Sequence, residues 1–236
     1  MEQAVRQNDE LALSQLSLRK GLGLLGIALP AVFLLGSPGI ALQRSLSAYY
    51  YIPHLRDLLV GVLCAIGAFL VFYRGYSRVP NAFRRLPIWL NRHMTDTKLT
   101  TLAGLGALAT ALLPTCESGT QCSNPAISVL HSAGAVTFLG TLAVLSICAF
   151  TESDTDPKDW DATKRWSNRI YTTCGWIILG CLVAAALVLK LHLSPLGPIT
   201  QPVFWLESIA IWAFGISWLV KGEAIQALVG LLSKAK

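Results

Sequence analysis

The chain of 236 residues is 53% hydrophobic and only 14% charged, whereas a water-soluble domain carries about 25% charged residues, so that class is excluded. The formal charge of +6 admits nucleic acid as a partner, but in a polytopic membrane protein Lys and Arg first report orientation, because they accumulate in cytoplasmic loops. Their placement along the chain decides between these readings.

Met1 to Lys20 is polar, and Asn8 reads as the cap of a short helix whose first turn holds Asp9 and Glu10. The segment is too long and too acidic for the start of a cleaved signal, so the first apolar run is expected to be retained as an anchor. That run, Gly21 to Gln43, matches the roughly 20 residues that cross hydrocarbon, with Pro30 and Ser37-Pro38-Gly39 expected to kink it or end it early. A second span, Leu58 to Tyr73, carries Gly61, Cys64, Ala65 and Ala68 at helical spacing, small residues that let helices approach closely in lipid. The loop after it holds Arg74, Arg78, Arg84, Arg85, Arg92 and Lys98 against Asp96 alone, and its Leu86 to Leu90 segment suits the headgroup layer.

The third span, Leu99 to Thr115, is short and rich in Gly and Ala; the fourth runs from Ile127 to Phe150. The charged loop Thr151 to Asn168 reads as solvated. A fifth span, Ile170 to Leu189, and a sixth, Val203 to Val220, complete an all-α, polytopic bundle of six transmembrane helices. The domains are thus a segment 1–20, a transmembrane unit 21–222, and a tail 223–236 whose Ile225, Leu228, Val229 and Leu232 form one apolar face, as in an interfacial helix.

Six spans put both termini on one side. Of the 19 basic residues, only Arg44, Arg56 and Lys190 fall on the other side, which places the termini in the cytoplasm and makes nucleic acid an unneeded explanation of the charge. The tyrosines Tyr49, Tyr50 and Tyr51 with Trp205 then mark the outer interface, and Tyr73, Trp89, Trp166 and Trp218 the inner one. Cys116 and Cys122 share an outward loop, where oxidising conditions permit a disulfide. Cys64, Cys148, Cys174 and Cys181 read as packing residues inside the membrane.

The same topology brings ionisable groups from three helices to one depth. His54, Arg56 and Asp57 enter the second helix from outside, while His131 and Glu207 lie about one turn inside the fourth and sixth; Ser45, Ser47 and His192 belong to that side. One reading is structural: Arg56 and Asp57 reach into headgroups, His131 bonds a neighbouring carbonyl, and Glu207 pairs with Arg56. The leading functional reading is a site that binds or passes a small ligand, ion or lipid headgroup. In it Arg56 attracts an anion, Asp57 and Glu207 hold a cation or proton, and His131 tunes their charge, with Tyr50 in a platform for a carbohydrate or headgroup. A second reading gathers His54, Asp57, His131 and Glu207 around zinc, with Ser45 or Ser47 as nucleophile or oxyanion donor of a lipid hydrolase. A third is a homo-oligomeric pore or subunit of a complex, with the small residues of the second and third helices as contact faces. No HExxH, P-loop or CxxCH motif occurs.

The Ser-x-Ser-x-Tyr-Tyr run leading to Arg56-Asp57, Tyr73-Arg74-Gly75-Tyr76, Trp205-x-Glu207 and Phe214-Gly215-x-Ser217-Trp218-x-x-Lys221-Gly222 together resemble a group of small bacterial multi-pass membrane proteins of unknown function. That resemblance implies a bacterial inner-membrane location and supplies no activity. The alkaline ceramidase and adiponectin-receptor group of seven-helix zinc hydrolases is similar only superficially, since this chain has six predicted spans and no His-x-x-x-His in its last helix.

Overall fold

The computed structural model describes residues 2–35, 39–74, 95–117, 122, 124–153, 156–191 and 200–223. Among these residues the chain is all helical: α1 (Glu2–Leu35), α2 (Pro53–Phe72), α3 (Asp96–Leu112), α4 (Pro125–Val144), α5 (Ala162–Lys190) and α6 (Pro202–Lys221), with 3-10 turns at Ser47–Tyr51 and Pro157–Asp159. All but α3 are long and apolar enough to cross a membrane. The basic loop with Arg78, Arg84, Arg85 and Arg92, the Leu86 to Leu90 segment, His192 and the tail beyond Glu223 lie outside the described residues.

Local chemistry explains where the helices begin. Thr95, Asn124 and Asp161 accept hydrogen bonds from Lys98 N (3.2 Å), Ile127 N (3.3 Å) and Lys164 N (2.7 Å), so each caps a helix start. Pro53, Pro125 and Pro202 occupy first turns, where a missing N–H breaks no intrahelical bond. The Asp161 cap corrects one expectation: α5 starts eight residues before Ile170, and Lys164 and Asn168 are half-buried helix residues instead of members of a solvated loop.

α1 corrects another. It is one helix from Glu2 to Leu35, so Asn8 lies within it and Pro30 does not end it. Pro30 leaves the carbonyl four residues earlier, that of Gly26, without its N–H partner, and at the neighbouring position Trp212 Nε1 of α6 donates to Ile27 O at 3.1 Å, tying α6 to this part of α1.

Each helix packs on its chain neighbours, and α6 also packs on α1, so the six close into a ring that α4 and α6 bridge. Backbones touch through paired glycines: Gly23 with Gly215 (α1 and α6), Gly67 with Gly104 (α2 and α3), Gly106 with Gly134 (α3 and α4). Such notches gain dispersion contacts that lipid cannot supply. Gly67 and Gly104 are thus used inside the bundle, while Gly61, one of the small residues expected at a contact face, has nothing within 4 Å.

α4 continues into a π-turn, Leu145–Ala149, closed by Phe150 N to Leu145 O (2.9 Å). Within it Ser146 Oγ meets Ser217 Oγ of α6 at 2.9 Å. The aromatic belt is also corrected. Tyr49 is 1% exposed and stacks on Phe33 at 4.4 Å, and Trp218 is fully buried against Tyr73, Phe150 and Phe214. These rings fill the core because they face neighbouring helices; Trp166, on the outside of α5, stays exposed.

Candidate functional site

The loop between α1 and α2 meets α4, α6 and the chain just past α3 at the end of the bundle that carries the disulfide. Ser45 starts the 3-10 turn, its hydroxyl and carbonyl both accepting from Ala48 N (3.1 and 3.2 Å). Glu207, one turn into α6, accepts from Leu46 N at 2.7 Å and also faces the main-chain N–H of Ser47. A partly buried carboxylate in an apolar helix thus finds its partners in the main chain, and the expected Glu207 to Arg56 pair does not form. Arg44 O accepts from Phe204 N at 3.1 Å, a second tie between this loop and α6.

His131 completes the cluster. Its Nδ1 lies 2.7 Å from Leu113 O, just past the end of α3, and its Nε2 lies 2.9 Å from Ser47 Oγ. A carbonyl oxygen only accepts, so Nδ1 carries a proton, and when the ring is neutral the Nε2 lone pair receives the Ser47 O–H. The ring is 7% exposed, and the neighbouring-carbonyl expectation for it is met. A serine hydroxyl is therefore held against a basic nitrogen whose ring is oriented by a third group, the arrangement that activates serine nucleophiles.

Tyr51 donates its phenol O–H to Thr115 O, and Cys116 N donates to Ser128 Oγ (3.3 Å). Burial raises the Tyr51 phenol above its ordinary 10.0, with Glu117 and Tyr50 pushing the same way, so it remains a donor throughout the neutral range. Cys116 and Cys122 form a disulfide with Cα atoms 5.1 Å apart, which ties the chain beyond α3 beside this cluster.

The remaining candidates stand apart from it. His54, Arg56 and Asp57 are exposed near the start of α2; Arg56 Nε lies 3.4 Å from Asp57 Oδ1, with Arg56 Cζ 6.0 Å from the half-buried Tyr50 ring. An ion pair so exposed contributes about 0–1 kcal/mol. The zinc set His54, Asp57, His131 and Glu207 is not brought together, and among the described residues no three His, Cys, Asp or Glu side chains are grouped to hold a metal ion. The reason is rotational: the start of α2 presents its charged residues outward while His131 and Glu207 turn toward the loop.

At the opposite end, Arg19, Lys164 and Lys221 line a cavity of about 260 Å³ with Ser167 and Tyr171. Read from sequence, these cations serve only as markers of orientation, because their convergence depends on which helices pack together. No protein-family model matches the chain, and no curated protein and no solved structure matches it either.

Proposed function

We propose that the chain is a six-span protein of the bacterial inner membrane, with both termini in the cytoplasm, that uses Ser47 as a nucleophile on acyl esters presented from the outer leaflet. α3 counts as the sixth span: its 17 residues reach about 26 Å, close to the hydrocarbon thickness of about 30 Å, and it packs between α2 and α4. The skew of Lys and Arg supports the orientation, which puts the disulfide outside. The observation that carries the activity is the 2.9 Å contact of Ser47 Oγ with His131 Nε2, with Nδ1 held by Leu113 O.

In the reaction, Ser47 Oγ attacks the ester carbonyl carbon as its proton passes to His131 Nε2. The ester C–O bond then breaks, the leaving alcohol takes that proton, and an acyl-Ser47 remains. Water, deprotonated by the same nitrogen, releases the acid and restores Ser47. Glu207 is a positioning residue that fixes the main chain beside Ser47. Arg56, exposed at the start of α2, suits the phosphate of a lipid headgroup.

A second reading keeps the leading sequence expectation, binding or passage of a small ligand, ion or lipid headgroup at this end, with the Ser47, His131 and Glu207 contacts as a structural tie. It is favoured by the engagement of Leu46 N with Glu207 and of Ala48 N with Ser45, which takes up main-chain donors that would otherwise stabilise an oxyanion. A fluorophosphonate probe separates the two. Labelling of Ser47 in the purified wild type, lost in Ser47→Ala and reduced in His131→Gln, supports the nucleophile; a folded wild type that stays unlabelled refutes it and leaves the tie.

A further inference from the structure

The end of the bundle away from the disulfide holds cations that the proposed serine chemistry does not use. Lys221 closes α6, with Nζ 5.2 Å from the centre of the Phe150 ring and 6.0 Å from that of Tyr171. It lines the cavity and forms no ion pair within 4.0 Å and no side-chain hydrogen bond with any described residue, with Asp96 and Glu223 acting on it from farther off. Aromatic faces attract an ammonium but supply no acceptor for its N–H groups, and a half-buried cation without acceptors is costly.

Lys164 approaches the same space from α5. Its Nζ gives one hydrogen bond to Glu152 O at 2.8 Å and leaves two donors. Arg19, 5% exposed, enters from α1, where its Nε donates to Tyr73 OH at 3.1 Å. Carboxylates nearby offset part of this charge: Asp96 acts on Lys221 and Arg19, Glu223 on Lys221, and Glu152 on Lys164. Asp161 Oδ1 is occupied as the cap of α5, Glu223 is exposed at the rim, and Asp96 and Glu152 lie outside the lining. The hydroxyls of Ser167 and Tyr171 add neutral donors on the wall.

We infer that this cavity binds a phosphate group, with Lys221 and Lys164 donating to its oxygens and Arg19 supplying the charge behind them. Three cations from α1, α5 and α6 surrounding one space suit an anion with several acceptor oxygens better than a single carboxylate. The volume of about 260 Å³ leaves room for a substituent on the phosphate. The position at the helix ends, where headgroups stand, is open to a lipid phosphate and to a soluble one alike. This site is separate from Ser47 and stands whether or not Ser47 reacts.

The full chain is reconstituted in phosphatidylcholine nanodiscs and titrated with inorganic phosphate; in parallel it is reconstituted with a rising fraction of phosphatidylglycerol. The midpoint of thermal unfolding is read in both series. Saturable stabilisation by inorganic phosphate in phosphatidylcholine assigns a soluble ligand, and stabilisation by phosphatidylglycerol alone assigns a headgroup. In either case Lys221→Gln and Lys164→Gln each weaken the response about tenfold, while Lys221→Arg, which keeps the charge and guards against simple misfolding, retains it. A wild type that responds in neither series, or responds no better than Lys221→Gln, overturns the site.

Discussion

Replacing Gly104 by alanine would set a methyl 2.6 Å from Gly67 O, 2.7 Å from Val71 Cγ2 and 2.8 Å from Val71 N. Ordinary contact begins near 3.4 Å, so α2 and α3 must part by about 0.8 Å along the line to the Gly67 carbonyl. Two of the three obstacles are main chain, which cannot swing aside. Forcing extra carbon into a closed contact costs about 1–3 kcal/mol, while alanine gains up to about 1 kcal/mol over glycine in helix propensity. Gly61→Ala isolates the contact, because Gly61 has nothing within 4 Å on the same helix pair and shares the propensity gain.

The expected result is therefore a difference between the two variants of about 1–3 kcal/mol, with Gly104→Ala the weaker. Equilibrium unfolding in mixed micelles with rising SDS, followed by far-ultraviolet circular dichroism, measures it. Equal unfolding curves would refute the close approach of α2 and α3. The displacement also bears on the site, since the chain leaving α3 delivers Leu113 O to His131.

Two further substitutions probe the disulfide end. Glu207→Ala leaves the Leu46 and Ser47 N–H groups without their acceptor and is expected to cost about 1–3 kcal/mol; Glu207→Gln keeps a carbonyl oxygen and should lie nearer wild type. The same SDS titration checks the order, and an alanine variant as stable as the glutamine one would remove Glu207 as an anchor of the loop. Cys116→Ser frees Cys122, so a membrane-impermeant maleimide applied to intact spheroplasts should label the variant at Cys122 and leave both positions of the wild type unlabelled. Labelling of the variant only after lysis would reverse the proposed orientation, and labelling of the wild type at these positions would deny the bond.

What the residues reveal in advance and what they conceal have different physical origins. The apolar runs, the capping residues and the prolines act locally, so most helices appear where composition and spacing place them. The depth of His131 and Glu207 is also readable, because each helical residue advances a fixed distance along the axis. Rotation about that axis is not, since packing sets it. Thus Tyr49 and Trp218 resemble interface markers yet fill the core, and Arg56 looks like the natural partner of Glu207 yet faces outward. The partners that Glu207 and His131 do find include main-chain groups of Leu46, Ser47 and Leu113, which no side-chain pattern encodes. Lys164 and Lys221 likewise become neighbours only once α5 and α6 pair.

The closure of the ring through α1 and α6 has a consequence for how the protein is made. Gly23 and Gly215 lie about 190 residues apart and touch backbone to backbone, so during synthesis at about 5–20 residues per second the first helix waits on the order of ten seconds or longer for its partner. Throughout that interval its notched face is open to lipid or to other nascent helices. A ribosome that stalls before α6 therefore leaves an open ring that lacks one helix, with the seam at Gly23 unmatched.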